Sequence, residues 1–288
     1  VPNFNQSLFC GYPEKDRLLY LHAGILNTSD IMFRNFVFIL ICMISFSTFA
    51  QPIIVAHRGS SFIAPENTVA AAKLAWQQNA DAVECDIYLS KDNRVVVMHD
   101  SNTKRTTGQE HKIADTNSEM LRTLDAGSWK NEQYRGEKIP FLEEIIATVP
   151  DGKKLVIEIK CGIEVLPALK AVVHQSGKKK QMIFIAFGWE TIQATKKLFP
   201  KNECFWLSSS TADVQARLNE KVIRKLDGIN LGYKIIDEKI ALQAKSKKLD
   251  LLAWTVDDPQ EAKRLAALGV KAITTNKPDM IREILGTK

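Results

Sequence analysis

The chain has 288 residues, of which 45% are hydrophobic and 25% charged, with 14 glycines and 10 prolines. This balance excludes disorder, collagen-like repeats and low-complexity architectures, and leaves enough chain for a sizeable core. Lysine and arginine total 39 against 33 acidic residues, a net charge of +6, yet the basic residues are scattered apart from Lys178-Lys179-Lys180 and a cluster from Lys245 to Lys248. Neither cluster has interleaved aromatics, so nucleic acid is not an expected partner; the mild positive balance suits anionic small molecules or lipid head groups.

The first segment reads as targeting. Met32 is followed by Arg34, an apolar run from Phe36 to Phe46 broken only by Ser45, then Ser47-Thr48-Phe49-Ala50 before Gln51-Pro52. A basic start, an apolar stretch and a small-residue cleavage site make residues 32–50 an expected signal peptide, cut after Ala50, and point to a periplasmic or secreted bacterial protein. Residues 1–31 are expected to be an unstructured upstream extension; an N-terminal anchor held by the same apolar run is the alternative. The run is short for a membrane span and Cys42 lacks a small residue before it, so no stable membrane anchor is expected. Removing residues 1–50 from 288 leaves 238 residues with three cysteines, Cys85, Cys161 and Cys204, an odd and unpatterned set that is no disulfide framework.

From residue 51 onward, short Val- and Ile-rich runs alternate with helical patterns. Ile53–Ala56 precedes a helix expected from about Glu66 to Gln78, and Leu155–Ile159 precedes Glu164–Gln175. Met182–Phe187 precedes Trp189–Leu198, and Cys204–Leu207 precedes Ala212–Lys221. Gly228–Leu231 leads to Asp237–Lys247, Leu251–Trp254 to Pro259–Leu268, and Ala272–Thr274 closes the series. The alternation predicts an α/β fold, a single (β/α)₈ TIM barrel over residues 51–288, with an open doubly wound sheet as second choice. No glycine-rich dinucleotide fingerprint follows Val55.

Ala82–Leu89 and Arg94–Met98 are separated by only Ser90-Lys91-Asp92-Asn93, too few residues for a helical crossover, so a hairpin is expected after the second strand. Pairing Leu89 with Arg94 would set Val97 opposite Asp86 and His99 opposite Glu84, all on one face. In Leu155–Lys160, Glu158 and Lys160 share a face with Val156 and end an apolar strand, where charges are costly unless paired, hydrogen-bonded or metal-bound. His57-Arg58-Gly59 ends the first strand, where a βα loop enters the face on which barrels build their sites.

Together, His57-Arg58-Gly59, Pro65-Glu66-Asn67-Thr68, Glu84-Cys85-Asp86, His99-Asp100, Arg105-Thr106-Thr107-Gly108, Ile139-Pro140, Glu158-Ile159-Lys160, Trp254-Thr255-Val256 and Thr275-Asn276-Lys277-Pro278 resemble the glycerophosphodiester phosphodiesterase family. The resemblance spans the chain beyond the targeting segment. It implies a TIM barrel with a small capping insertion at about residues 101–140, dependence on one divalent metal, and hydrolysis of a small-molecule glycerophosphodiester to sn-glycerol 3-phosphate and an alcohol. Carried over by position, Glu84, Asp86 and Glu158 match the metal ligands, His57 and His99 the acid and base, and Arg58 and Lys160 the phosphate contacts. Three carboxylates independently suit Mg²⁺ or Ca²⁺, and two histidines can supply a proton pair near neutral pH. Trp254 is divided between ordinary packing and a wall for the glycerol carbons; His111 and His174 read as surface residues. Asn276 stands where many relatives have Asp. A lysophospholipase D acting at a membrane and a noncatalytic barrel that only binds ligand are the alternative functions.

Overall fold

In a computed structural model of the protein, the described residues are 51–286 apart from Lys221, Val222 and Arg224. The expected signal peptide and the extension before it lie outside them.

The strands are β1 (Ile53–Ala56), β2 (Ala82–Leu89), β3 (Val95–Val97), β4 (Lys154–Ile159), β5 (Met182–Ala186), β6 (Cys204–Ser208), β7 (Gly228–Gly232), β8 (Asp250–Trp254) and β9 (Ala272–Thr275). The main helices are α1 (Val69–Gln77), α2 (Leu142–Thr148), α3 (Leu166–Gln175), α4 (Trp189–Leu198), α5 (Thr211–Leu218), α6 (Glu238–Ser246), α7 (Pro259–Ala267) and α8 (Pro278–Leu285). Every strand except β3 pairs in parallel, and β1 pairs with both β2 and β9, so eight strands close into a barrel. Closure leaves that barrel no free strand edge.

Alternation along each strand divides the apolar residues between two layers. Val55, Ala82, Val156, Ile185, Phe205, Leu207, Leu252 and Ala272 fill the barrel interior. Their strand neighbours, including Ile54, Val83, Ile157, Phe184 and Ile273, pack outward under the helices. Burying a side chain of this size stabilises the fold by about 1.5–3 kcal/mol, so the outer layer carries most of the stability. Cys85 and Cys204 are buried and Cys161 half-buried, all as free thiols.

Helix α1 starts three residues later than the sequence pattern suggests. Asn67 has a positive φ of 58°, and Thr68 is the extended N-cap whose hydroxyl accepts from Ala71 N, so Glu66 and Asn67 belong to the preceding loop. The first residues expected in α3 form a 3₁₀ turn, Ile163–Val165, before the helix begins.

The hairpin forms in a different register. Ser90 N donates to Arg94 O, so the loop is Lys91-Asp92-Asn93, with Asn93 at a φ of 62°. A left-handed third residue is what a three-residue hairpin loop requires. Leu89 therefore pairs with Val95 and Ile87 with Val97, one residue away from the expected pairing. A slip of one residue exchanges faces. Val95 and Val97 join the outer core with Ile87, and His99 is not set opposite Glu84. Val96 instead meets the segment that follows, where Met98, Ile113, Leu121, Leu124, Ala126 and Ile139 form a separate small core.

Candidate active site

Strand β2 changes partner along its length. Ala82 and Val83 pair with β1, whereas Ile87 to Leu89 pair with β3, so Glu84 to Asp86 sit at a fork at the C-terminal end of the barrel. The loop between β1 and α1 fills that fork. Arg58 N donates to Glu84 Oε2 at 2.9 Å. Asp86 N donates to Asn67 Oδ1 at 3.1 Å while Asn67 Nδ2 donates to Asp86 Oδ2 at 2.8 Å. The loop can take this path because Arg58 and Asn67 adopt left-handed backbone and Gly59, at a φ of 82°, lies where a Cβ would stand 2.5 Å from the Ala71 backbone.

Inward alternation brings Glu84, Asp86 and Glu158 together, with one carboxylate oxygen of each within 4.8 Å of the others. Glu84 and Asp86 are buried, yet Glu84 Oε1 and Asp86 Oδ1 have no hydrogen-bond donor. Burial, and then the charges of Asp86 and Glu158, push the Glu84 carboxyl well above its usual range against the opposing pull of Arg58. Burial and Asp86 push Glu158 up to about 7, with Lys160 opposing. Buried carboxylates with orphaned oxygens are expensive unless a cation compensates them. Lys160 Nζ lies 2.9 Å from Glu158 Oε1 and 3.6 Å from Asp86 Oδ1, and Arg58 Nε lies 3.3 Å from Asp86 Oδ2. Two side-chain cations therefore face three carboxylates, and the orphaned hard oxygens fit one divalent cation.

His57, Glu84, Glu158 and Trp254 line one small pocket with Ile185, Leu207, Asn230 and Thr274. His57 is oriented from β9. Its Nδ1 is 2.8 Å from Asn276 Oδ1, which also accepts from Ser61 Oγ. Asn276 Nδ2 donates to Asp257 Oδ2 at 2.6 Å, and Asp257 Oδ1 accepts from Asn276 N and Thr275 Oγ1. Since the carboxylate only accepts, the Asn276 amide must turn its oxygen toward His57. His57 therefore carries hydrogen on Nδ1 when neutral, and Nε2 is its free acceptor. Burial and the Arg58 charge lower the His57 pKa to about 4, with the Asn276 bond opposing.

His99 does not share that pocket lining. Its Nδ1 meets Asp100 Oδ1 at 2.7 Å, Arg105 Nε donates to Asp100 Oδ2 at 2.6 Å, Arg105 reaches Glu66 at 2.7 Å, and Glu66 bonds Arg58 at 2.9 Å. Burial would raise the Glu66 pKa, but hydrogen bonds and charge from Arg105 and Arg58 outweigh it and hold it at about 2. This ionic chain links His99 to the carboxylate cluster. Trp254 meets Phe187 edge-on at 5.4 Å between ring centres, and its Nε1 donates to Asn230 O.

Sequence reasoning assigned no role to Asn67, Glu66, Asp257 or Asn230. Asn67 carried a weak signal, as an Asn just before a helix cap tolerates left-handed backbone. Asp257 carried none.

Residues 57–280 match the model of the glycerophosphoryl diester phosphodiesterase family. A glycerophosphodiester phosphodiesterase of Caldanaerobacter subterraneus is 32% identical over 241 residues, covering 80% of this chain and 96% of the relative. The Bacillus subtilis protein YhdW is 33% identical over 234 residues, covering 79% of this chain and 96% of its own. An Oleispira antarctica phosphodiesterase solved with the product sn-glycerol-3-phosphate superposes with a TM-score of 0.76 at 32% identity, covering 82% of this chain and 98% of that one. With the family pattern matched from the end of the first strand into the last helix, and with a barrel and an acidic cluster in place, this chain belongs to the glycerophosphoryl diester phosphodiesterase family.

Proposed function

We propose that the protein hydrolyses glycerophosphodiesters to sn-glycerol 3-phosphate and an alcohol, with Glu84, Asp86 and Glu158 holding one Mg²⁺ or Ca²⁺ and His57 and His99 exchanging the protons. The observation that carries this reading is the buried three-carboxylate cluster with orphaned oxygens, two of whose members line one pocket with His57, and which Arg58 and Lys160 flank. The substrate class is supported by the likeness to the Oleispira antarctica enzyme solved with sn-glycerol-3-phosphate.

The held cation would polarise a phosphoryl oxygen. Arg58 and Lys160, now facing the carboxylates, would share their charge with the phosphoryl group as negative charge builds there. We assign His57 as the base in the first step, a role that its free Nε2 and its lowered pKa suit. Its Nε2 accepts the proton of the glycerol 2-hydroxyl as that oxygen bonds to phosphorus, while His99 gives a proton to the departing alcohol oxygen. In the second step, neutral His99 takes a proton from water as the water oxygen bonds to phosphorus. His57 returns its proton to the 2-oxygen as the cyclic phosphate opens. The protons balance over the two steps, and the neighbouring hydroxyl gains from proximity, which favours a glycerol-bearing diester. Trp254 would wall the glycerol carbons.

Assay on glycerophosphocholine, with coupled detection of sn-glycerol 3-phosphate, tests the reading; release of phosphocholine and glycerol instead would overturn it. Export is part of the same proposal, on the strength of the apolar run in residues 32–50. Protein from the native host should begin near Gln51, and retention of residues 1–31 would contradict this.

A further inference from the structure

Phe62 and Ile63, on the loop between β1 and α1, and Trp129, in the insertion after β3, are large apolar side chains left 59%, 43% and 40% exposed. Single exposed apolar residues need no explanation, but these three stand on two segments that are tied together. Lys130 Nζ donates to Ser61 O at 2.8 Å, which fastens the residue after Trp129 to the residue before Phe62. Phe62 N donates to Asn276 O, so the cluster stands on the same loops that orient His57.

The cluster is built to be presented. Asp125 accepts from the amides of Gly127, Ser128 and Gly136, and a Cβ at Gly127 would stand 1.9 Å from Tyr134 O, so the Trp129 turn has one tight path. Trp129 Nε1 donates inward to Ala126 O, which satisfies the polar edge of the indole and leaves its apolar ring outside. Two cations accompany the rings. Lys277 Nζ lies 4.5 Å from the centre of the Phe62 ring and Lys130 Nζ 5.8 Å from the Trp129 ring. Aromatic and aliphatic side chains flanked by ammonium groups match the boundary between acyl chains and phosphate head groups.

We propose that Phe62, Ile63 and Trp129, with Lys130 and Lys277, dock the open end of the barrel onto a phospholipid bilayer carrying anionic head groups. A bilayer is favoured over the acyl chain of one lipid molecule because none of the three apolar residues lines the pocket that holds His57 and Glu84. A chain attached to bound substrate would need a continuous groove. The two lysines choose the anionic surface by charge complementarity, in keeping with the net charge of +6. The contact is reversible, since three side chains bury far less than an inserted helix.

The test is cosedimentation of the mature protein with sucrose-loaded vesicles of phosphatidylcholine alone or mixed with phosphatidylglycerol, together with turnover of water-soluble glycerophosphocholine. The protein should bind the mixed vesicles, release them at high salt and bind phosphatidylcholine vesicles more weakly. Phe62→Ser and Trp129→Ser should each lower partition by about tenfold, the scale of withdrawing one large apolar side chain from water-free contact, with soluble turnover unchanged. His57→Ala should bind vesicles like the parent protein, so docking is read separately from catalysis. Failure of the parent protein to bind, equal binding by the two serine variants, or loss of their soluble turnover would overturn the proposal. Binding of lysophosphatidylcholine below its micellar concentration without vesicle binding would assign the surface to single acyl chains. A dimer abolished by Trp129→Ser would assign it to a second copy of the chain; either result refutes bilayer docking.

Discussion

Replacing Asn67 by alanine is expected to destabilise the protein by about 3–5 kcal/mol, a large effect for one polar side chain. Asn67 is 4% exposed and exchanges two hydrogen bonds with Asp86, to the backbone N–H and from its own amide to Oδ2. Truncation strands the buried Asp86 N–H, at roughly 1–3 kcal/mol, and takes the hydrogen-bond donor from a carboxylate left with only the nearby charges of Arg58 and Lys160, at roughly 1 kcal/mol more. The φ of 58° adds about 1 kcal/mol for alanine but not for glycine. Asn67→Gly should therefore cost about 1 kcal/mol less than Asn67→Ala. Urea unfolding of chelator-treated protein measures both, and isothermal titration should find metal affinity reduced by about 10–100-fold because Asp86 loses its orientation. An alanine variant within about 1 kcal/mol of the parent, or alanine and glycine variants of equal stability, would refute the assigned hydrogen bonds and backbone constraint.

Turnover by His57→Ala and His99→Ala should fall by about 10²-fold or more with KM within a few-fold, whereas Lys160→Ala should raise KM as well; near-normal turnover of either histidine variant in steady-state assays would remove it from the proton-transfer pair. Asp257→Asn frees the Asn276 amide to turn over, so ¹⁵N shifts of the His57 ring should report a mixed tautomer, and kcat should fall more than KM changes; an unchanged tautomer would rule out the positioning role. In metal-free protein, the raised pKa of Glu158 removes stability as pH rises from about 4.5 to about 7, because the folded state binds the extra proton. The lowered pKa of His57 acts oppositely, adding stability from about pH 4 to 6.5. Melting curves of His57→Asn should thus decline more steeply with pH than those of the parent, and Glu158→Gln should decline less; parallel profiles would contradict both shifts.

Much of this architecture is legible in the chain because parallel strands, buried on both faces, leave runs such as Ile53–Ala56 and Met182–Ala186 that alternate with helical patterns. The charged residues were legible for the converse reason. Glu158 and Lys160 end an apolar strand, and period-two alternation alone sends both inward to meet at 2.9 Å. The hairpin register was not, because it depends on whether Asn93 takes a left-handed backbone, and a three- or four-residue loop fits the same letters equally well. Nor were the supports of the site. Asn67 holds Asp86 across 19 residues, Asn276 holds His57 across 219, and neither contact has a periodic signature that a strand or helix imposes. His99 illustrates the difference: its link to the cluster runs through Asp100, Arg105 and Glu66 instead of the expected cross-strand pairing.

In the proposed reaction, hydrolysis depends on a divalent cation held by the three inward carboxylates. The direct measurement is glycerophosphocholine turnover by exhaustively chelated protein, before and after titration with Mg²⁺ or Ca²⁺, with parallel calorimetry on the parent and Glu84→Gln. Activity should vanish on chelation and return as one cation binds per chain. Glu84→Gln should lose most of both, since it removes the charge of one of the three ligands. Full turnover after chelation, or cation binding undiminished in Glu84→Gln, would contradict the account.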